Sequence, residues 1–155
     1  MFRISKLADY GTMVLTHMAR FPGRSHSSSG LAATLGLAQP TVSKVLKTLT
    51  RHGLVQSFRG LNGGYDLARP AAQISIAEII DALEEQAFGL TECSATIGLC
   101  DYETNCVSRA NWQRLNVVVR RALDGVSLED MSRPLPLQET PAQPLRRQRP
   151  ELKGE

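Results

Sequence analysis

Gln39-Pro40-Thr41-Val42-Ser43-Lys44-Val45-Leu46-Lys47-Thr48-Leu49-Thr50-Arg51 is the stretch on which the fold turns. Pro40 suits the first helical position, where its missing N–H removes no bond. Val42, Val45, Leu46 and Leu49 recur at i, i+3, i+4 and i+7, the spacing of one buried helix face. Gly53 supplies a stop. The other face carries Thr41, Ser43, Lys44, Lys47, Thr48 and Arg51. Such a helix can press one side on a core and offer the other to a polyanion.

Upstream, Leu31, Ala32 and Leu35 predict a short helix over 29–35 that ends at Gly36, after a serine-rich loop able to cap it. Leu7, Tyr10, Val14, Leu15 and Met18 predict a first helix over 5–20, closed by Phe21-Pro22-Gly23. A short helix, a tight turn and a second amphipathic helix form the unit that presents one helix to a major groove. Downstream, residues 54–58 and 65–68 alternate like strands around the turn-rich Arg59-Gly60-Leu61-Asn62-Gly63-Gly64. A hairpin after a helix-turn-helix is a wing.

Ser75-Ile76-Ala77-Glu78 is a capping-box pattern, with Ile74 and Ile79 as its hydrophobic staple. It predicts a helix over 76–87. A loop follows over 88–107, then a long helix over 109–124, capped by Ser108 and stopped by Gly125. Trp112, Leu115, Val118, Val119 and Ala122 line one face of it. Ser127-Leu128-Glu129-Asp130 starts one more helical turn. The expected fold class is mainly α with a small β-hairpin: a winged helix-turn-helix over 1–70, then a cysteine loop and long C-terminal helix over 71–132. Five of the eight prolines fall within 133–155, which predicts a disordered tail.

The charge is divided in the same way. Residues 1–70 hold nine Lys/Arg and two Asp/Glu, whereas 71–132 hold four and ten. A basic first half joined to an acidic second half predicts a nucleic-acid-binding module fused to another functional unit. Lys44, Lys47 and Arg51 are placed for phosphates, which supply affinity without sequence information. Gln39, Thr41 and Ser43 sit where short or amide side chains reach base edges. Arg59, beside a Gly-rich tip, suits a narrow minor groove. The expected partner is a double-stranded DNA operator.

A hydrophobic content of 42% is enough for a core and excludes a wholly disordered chain. The apolar runs fall short of the about 20 residues a bilayer requires. MFRISKLADYG carries no apolar signal core or small-residue cleavage site. The expectation is a cytoplasmic protein with no membrane partner. No nucleotide-binding glycine motif opens a helix, since Asn62-Gly63-Gly64 lies on a hairpin tip. His17, His26 and His52 are scattered, and no nucleophile–base pair is apparent, so an enzyme is not expected.

The chain's three cysteines, Cys93, Cys100 and Cys106, all lie on the 88–107 loop. An odd set in a cytosolic protein is not a disulfide framework. Structural zinc normally takes four ligands with tight cysteine pairs, and neither gap here is that short. Thiolates on one loop suit a soft metal or an iron–sulfur cluster, whose ligands reach different irons. Cys106 precedes a helix N-terminus, whose positive end favours thiolate. A complete cluster needs a fourth, non-cysteine ligand. Glu92, Asp101 and Glu103 are near in sequence; Asp9, His17, His26 and His52 are farther.

Four segments in order carry a family resemblance: Ile4-Ser5-Lys6-Leu7-Ala8-Asp9-Tyr10-Gly11, Arg59-Gly60-Leu61-Asn62-Gly63-Gly64-Tyr65, Ser75-Ile76-Ala77-Glu78-Ile79-Ile80 and the cysteine loop. Over about residues 1–132 the chain resembles the Rrf-type winged-helix transcriptional regulators of the IscR and NsrR kind. Its opening segment looks closest to the branch regulating SUF-type iron–sulfur cluster assembly. The resemblance implies a homodimer held by the long C-terminal helix. It also implies a cluster on Cys93, Cys100 and Cys106, with 2Fe–2S favoured over 4Fe–4S, and a wing arginine at Arg59. In the cluster-regulating branch a histidine stands three residues after the third cysteine. Here that place is Arg109, which cannot ligate at ordinary pH. The first cysteine gap is also one residue longer. In the nitric-oxide-sensing branch an aspartate from the partner's first helix completes the cluster, and Asp9 matches it.

The implied function is a cluster-sensing repressor of cluster-assembly genes, in which cluster loss releases repression. The alternatives are a nitric-oxide-sensing repressor of the same fold, a cluster-free thiol redox regulator and, more remotely, an iron–sulfur redox enzyme.

Overall fold

Three helices and a hairpin make the first half of the chain. The computed structural model describes residues 4–60, 63–84 and 87–133. Helix α1 spans Lys6–Arg20 and starts at Ser5, whose hydroxyl accepts from Ala8 N. Helix α2 spans Ser28–Leu35, capped by Ser27 and ended by Gly36 at φ 66°, a left-handed conformation that favours glycine. Helix α3 spans Gln39–Arg51, with Pro40 in its first turn. Strands β1, Val55–Phe58, and β2, Gly64–Leu67, pair antiparallel with Val55 opposite Leu67 and Phe58 opposite Gly64. Leu61 and Asn62, part of the expected wing tip, lie outside the described residues.

The predicted α3 stripe is the centre of the core. Val42, Val45, Leu46 and Leu49 are each fully buried, with Val14, Leu15 and Met18 of α1 in the same cluster. The loop between α1 and α2 is sewn to the wing: His26 and Tyr65 exchange both backbone N–H···O bonds at 2.8 Å. Gly64 permits this approach, because a Cβ there would lie 2.8 Å from His26 O.

Helix α4 spans Ile76–Leu83 and opens on the predicted capping box of Ser75 and Glu78. The Glu78 carboxyl is held below its usual range first by the Ser75 N–H and then by Arg69, 2.8 Å away. The helix is shorter than the expected 76–87. Glu84 is extended (ψ 139°), and its Oε1 accepts the Ser5 N–H at 2.8 Å, 79 residues away in sequence. That long-range bond joins the end of α4 to the start of α1.

The cysteine segment is more regular than a loop. It contains a one-turn helix α5, Glu92–Ala95, and a 3-10 turn, Glu103–Asn105. Helix α6 spans Arg109–Asp124, as its periodicity predicts. Ser108 stands at its N-cap but makes no capping hydrogen bond. Its φ/ψ of −94°/−8° are helical, not the extended values of a capping serine. Helix α7, Leu128–Ser132, returns the chain to the core. Leu128 is fully buried there, and its N–H donates to Ile74 O at 2.8 Å. The expected disordered tail lies outside the described residues from 134 onward.

The histidines are not all scattered. The rings of His17 and His26 lie 5.6 Å apart between centroids, edge to face, and His17 also meets Phe21 at 5.0 Å. Burial pushes the His17 pKa down, helped by His26 and Arg20.

Two measurements test this packing. A Cβ on Gly11 would overlap Leu83 Cδ1, so the two helices approach where α1 has no side chain. Gly11→Ala should lower unfolding stability by about 1–3 kcal/mol, the usual penalty of overpacking; denaturant titration reads it. The folded state holds His17 below its ordinary value of 6.5. The neutral ring therefore contributes stability that is present above that value and lost as pH falls through the lower folded pKa. Melting temperatures should drop on acidification, and His17→Gln should flatten the drop; equal slopes would exclude His17 as its source.

Candidate functional site

Two sets of side chains carry chemistry, and α3 presents the first. Burial of its apolar stripe turns Gln39, Lys44, Lys47 and Arg51 to solvent, where all four are exposed. Thr41 and Ser43 are half-buried beside them. Arg51 reaches Thr48 Oγ1 at 3.4 Å. Arg59 is exposed at the end of the hairpin that leads into its tip. Among the described residues, none of Lys44, Lys47, Arg51 and Arg59 has a carboxylate within ion-pair distance. A stripe of uncompensated cations on one helix, with a further cation on the wing, is a positive surface able to take up phosphates.

The second set is the cysteine segment. All three thiols are free. Cys93, on α5, is 6% exposed, and its sulfur lies 3.4 Å from Thr91 Oγ1. Cys100 and Cys106 are half-buried on either side of the 3-10 turn. Three soft thiols on one segment suit an iron–sulfur cluster by donor chemistry. Among the described residues, no three His, Cys, Asp or Glu side chains converge as a metal site.

Glu103, midway between Cys100 and Cys106, is a charged residue that is buried, at 8% exposure. Its Oε2 accepts the Gly98 N–H at 2.6 Å, and its Oε1 lies 2.6 Å from Arg109 Nη2. The ion pair is close but poorly aligned, so Oε1 and Arg109 Nε lack a directed hydrogen bond. Arg109 is thus the ion-pair partner of the loop's own carboxylate. The sequence offered a signal for it, an acid and a base six residues apart across the start of α6, but not its burial.

Asp9 is exposed on α1, away from any described cysteine contact. It borders an open groove of about 450 Å³ between α1, α4 and α7, whose walls include Ile4, Lys6, Ile76, Ile80 and Met131. Helix α6 has no buried residue, and Trp112, Leu115 and Val118 of its apolar face are 40%, 49% and 62% exposed. No helix among the described residues is long and apolar enough to cross a membrane.

Known proteins share this architecture. The solved structure of CymR (YrzC), the global cysteine regulator of B. subtilis, is similar with a TM-score of 0.68 and 27% identity, over 85% of this chain and 97% of that one. T. potens IscR is similar with a TM-score of 0.64 and 27% identity, over 84% of this chain and 85% of that one. An HTH-type transcriptional regulator of Neisseria meningitidis serogroup A, NMA1593, is 33% identical over 103 residues, 66% of this chain and 68% of that protein. The family model described as Rrf2, iron-dependent transcriptional regulator, matches residues 4–134. With its winged helix and an exposed basic face on α3, the chain belongs to the Rrf2 family of transcriptional regulators.

Proposed function

We infer that this chain is a homodimeric repressor that reads an iron–sulfur cluster held by Cys93, Cys100 and Cys106, and that it controls cluster-assembly genes of the SUF type. The observation that carries the reading is that every cysteine of the chain is a free thiol on one segment packed against α6. When bound, a cluster supplies redox and iron-dependent lability to the segment. The chain's residues do the rest. Gln39, Thr41 and Ser43 face base edges, while Lys44, Lys47, Arg51 and Arg59 fix register on phosphates.

A second copy covers the apolar face of α6. A helix of 16 residues is about 24 Å long. An open stripe of Trp112, Leu115 and Val118 along it is what a symmetric helix pair buries. Asp9, exposed on α1, serves as the fourth, oxygen ligand from the opposing copy. A hard oxygen ligand leaves that iron labile, which suits a sensor. Loop order and the position of α6 then differ with and without cluster. The difference in operator affinity corresponds to a coupling of about 1–3 kcal/mol.

A cluster-free thiol regulator is the second reading. It is favoured by the absence of a convergent ligand set among the described residues and by the likeness to the cysteine regulator CymR. In that case Cys93, Cys100 and Cys106 cycle through disulfides. Nitric-oxide sensing, with the same ligands and other target genes, is separated by exposing loaded protein to nitric oxide.

Anaerobic purification should give coloured protein with stoichiometric iron and sulfide, and Cys93→Ser should abolish both. Colourless, metal-free protein with full redox-dependent DNA binding would overturn the cluster reading. Asp9→Ala should shorten cluster lifetime; an unchanged visible spectrum and lifetime would remove Asp9 from the site. On an operator selected from a random duplex pool, Lys44→Ala should weaken binding across sequences. It should also reduce the slope of log affinity against log salt by about 0.9. An unchanged slope would take Lys44 off the phosphate backbone.

A further inference from the structure

Helix α6 is fastened to its own chain largely by polar side chains. Arg109, Asn116 and Arg120 fall at i, i+7 and i+11, one face of a helix. Arg109 meets Glu103 at 2.6 Å. Asn116 Oδ1 accepts the Leu90 N–H at 3.2 Å, and its Nδ2 donates to Ser94 O at 3.3 Å. Arg120 grips both oxygens of Asp81 at 2.7 and 2.6 Å. No residue of α6 is buried. Tethers of this kind exchange with water at small net cost, whereas a buried apolar face does not. The helix can therefore shift without opening the core.

Two of these tethers bracket the thiols. Leu90 and Ser94, held together by Asn116, stand on either side of Cys93. Glu103, held by Arg109, stands three residues from both Cys100 and Cys106. Asn116 and Arg109 are two turns apart on α6, about 10 Å along its axis. One helix thus sets the spacing of the two ends of the thiol segment. Among the described residues the thiols form no group able to hold a single metal ion in this arrangement. Any event that draws Cys93 toward Cys100 or Cys106, by a bound centre or a disulfide, pulls on Asn116, on Arg109 or on both.

We propose that Asn116 and Arg109 are positioning residues that carry the state of the thiol segment to α6. The assignment rests on reading that segment as the sensing element. It gives the transmission to two named side chains, one at each end of the segment.

The test uses the full chain, reduced and metal-free. Alkylation of Cys93 by N-ethylmaleimide is timed by peptide mass spectrometry. Amide hydrogen exchange across residues 109–120 is measured before and after all three thiols are alkylated. Asn116→Leu removes both hydrogen bonds and should speed Cys93 alkylation by about tenfold. Asn116→Asp keeps the acceptor for Leu90 N–H and should fall between. Gln113→Leu, on the same helix and without a side-chain partner, should alkylate at the wild-type rate. In the wild type, alkylation should speed exchange along α6, and the double variant Asn116→Leu/Arg109→Gln should lose that response. Wild-type alkylation kinetics in Asn116→Leu, or α6 exchange that ignores alkylation in the wild type, would overturn the proposal. Failure to load iron would overturn the cluster reading and leave these metal-free results to be judged by themselves.

Discussion

Burial of the apolar stripe of α3 against α1 is the contact from which the exposed basic surface follows. Val42, Val45, Leu46 and Leu49 share one core with Val14, Leu15 and Met18. Fully burying each such side chain is worth about 1.5–3 kcal/mol. A helix has only one rotation that buries that stripe. The same rotation fixes Lys44, Lys47 and Arg51 outward, with no ion pair among the described residues to hold them there. Placement of the basic face is therefore a by-product of packing.

The second half of the chain works under a different balance. Helix α4 and Leu128 of α7 belong to the same buried cluster as the first three helices. Helix α6 does not, apart from Leu123 packed partly against it. Its apolar stripe is open, and its inward side is charged and amide-bearing. The fully packed part of the molecule and the part bearing the thiols therefore meet at polar contacts that water can replace.

Much of this was legible in the sequence because it is local and periodic. The three N-terminal helices and α4 announce themselves by apolar spacing, by the serine-rich loop before α2 and Ser75 before α4 as caps, and by Gly36 as a stop. The hairpin shows in its alternation and glycine-rich tip. What escaped the sequence is what depends on distant partners or on very short pieces. The 76–87 helix ends at Glu84, whose carboxylate is taken by the far end of the chain at Ser5. The one-turn α5 has too few residues to show a period. His17 and His26 meet because the wing pulls the intervening loop back across α1. The basic side chains of the predicted recognition face stand where periodicity put them. The burial of Glu103 beside Arg109 has no local signature at all.

The return of the chain after α6 limits how that helix can move. Val126 O accepts the Ile76 N–H at 2.9 Å, and Leu128 seals the core directly beyond Gly125. The C-terminal end of α6 is thus pinned, while its N-terminal end rests on the thiol segment. A helix fixed at one end can swing but hardly slide. Any swing of this kind would be greatest at Arg109 and least near Gly125. A change of a few degrees at the pivot would become a displacement of ångströms at the cysteines, and the helix is a lever arm whose long end lies at the sulfurs.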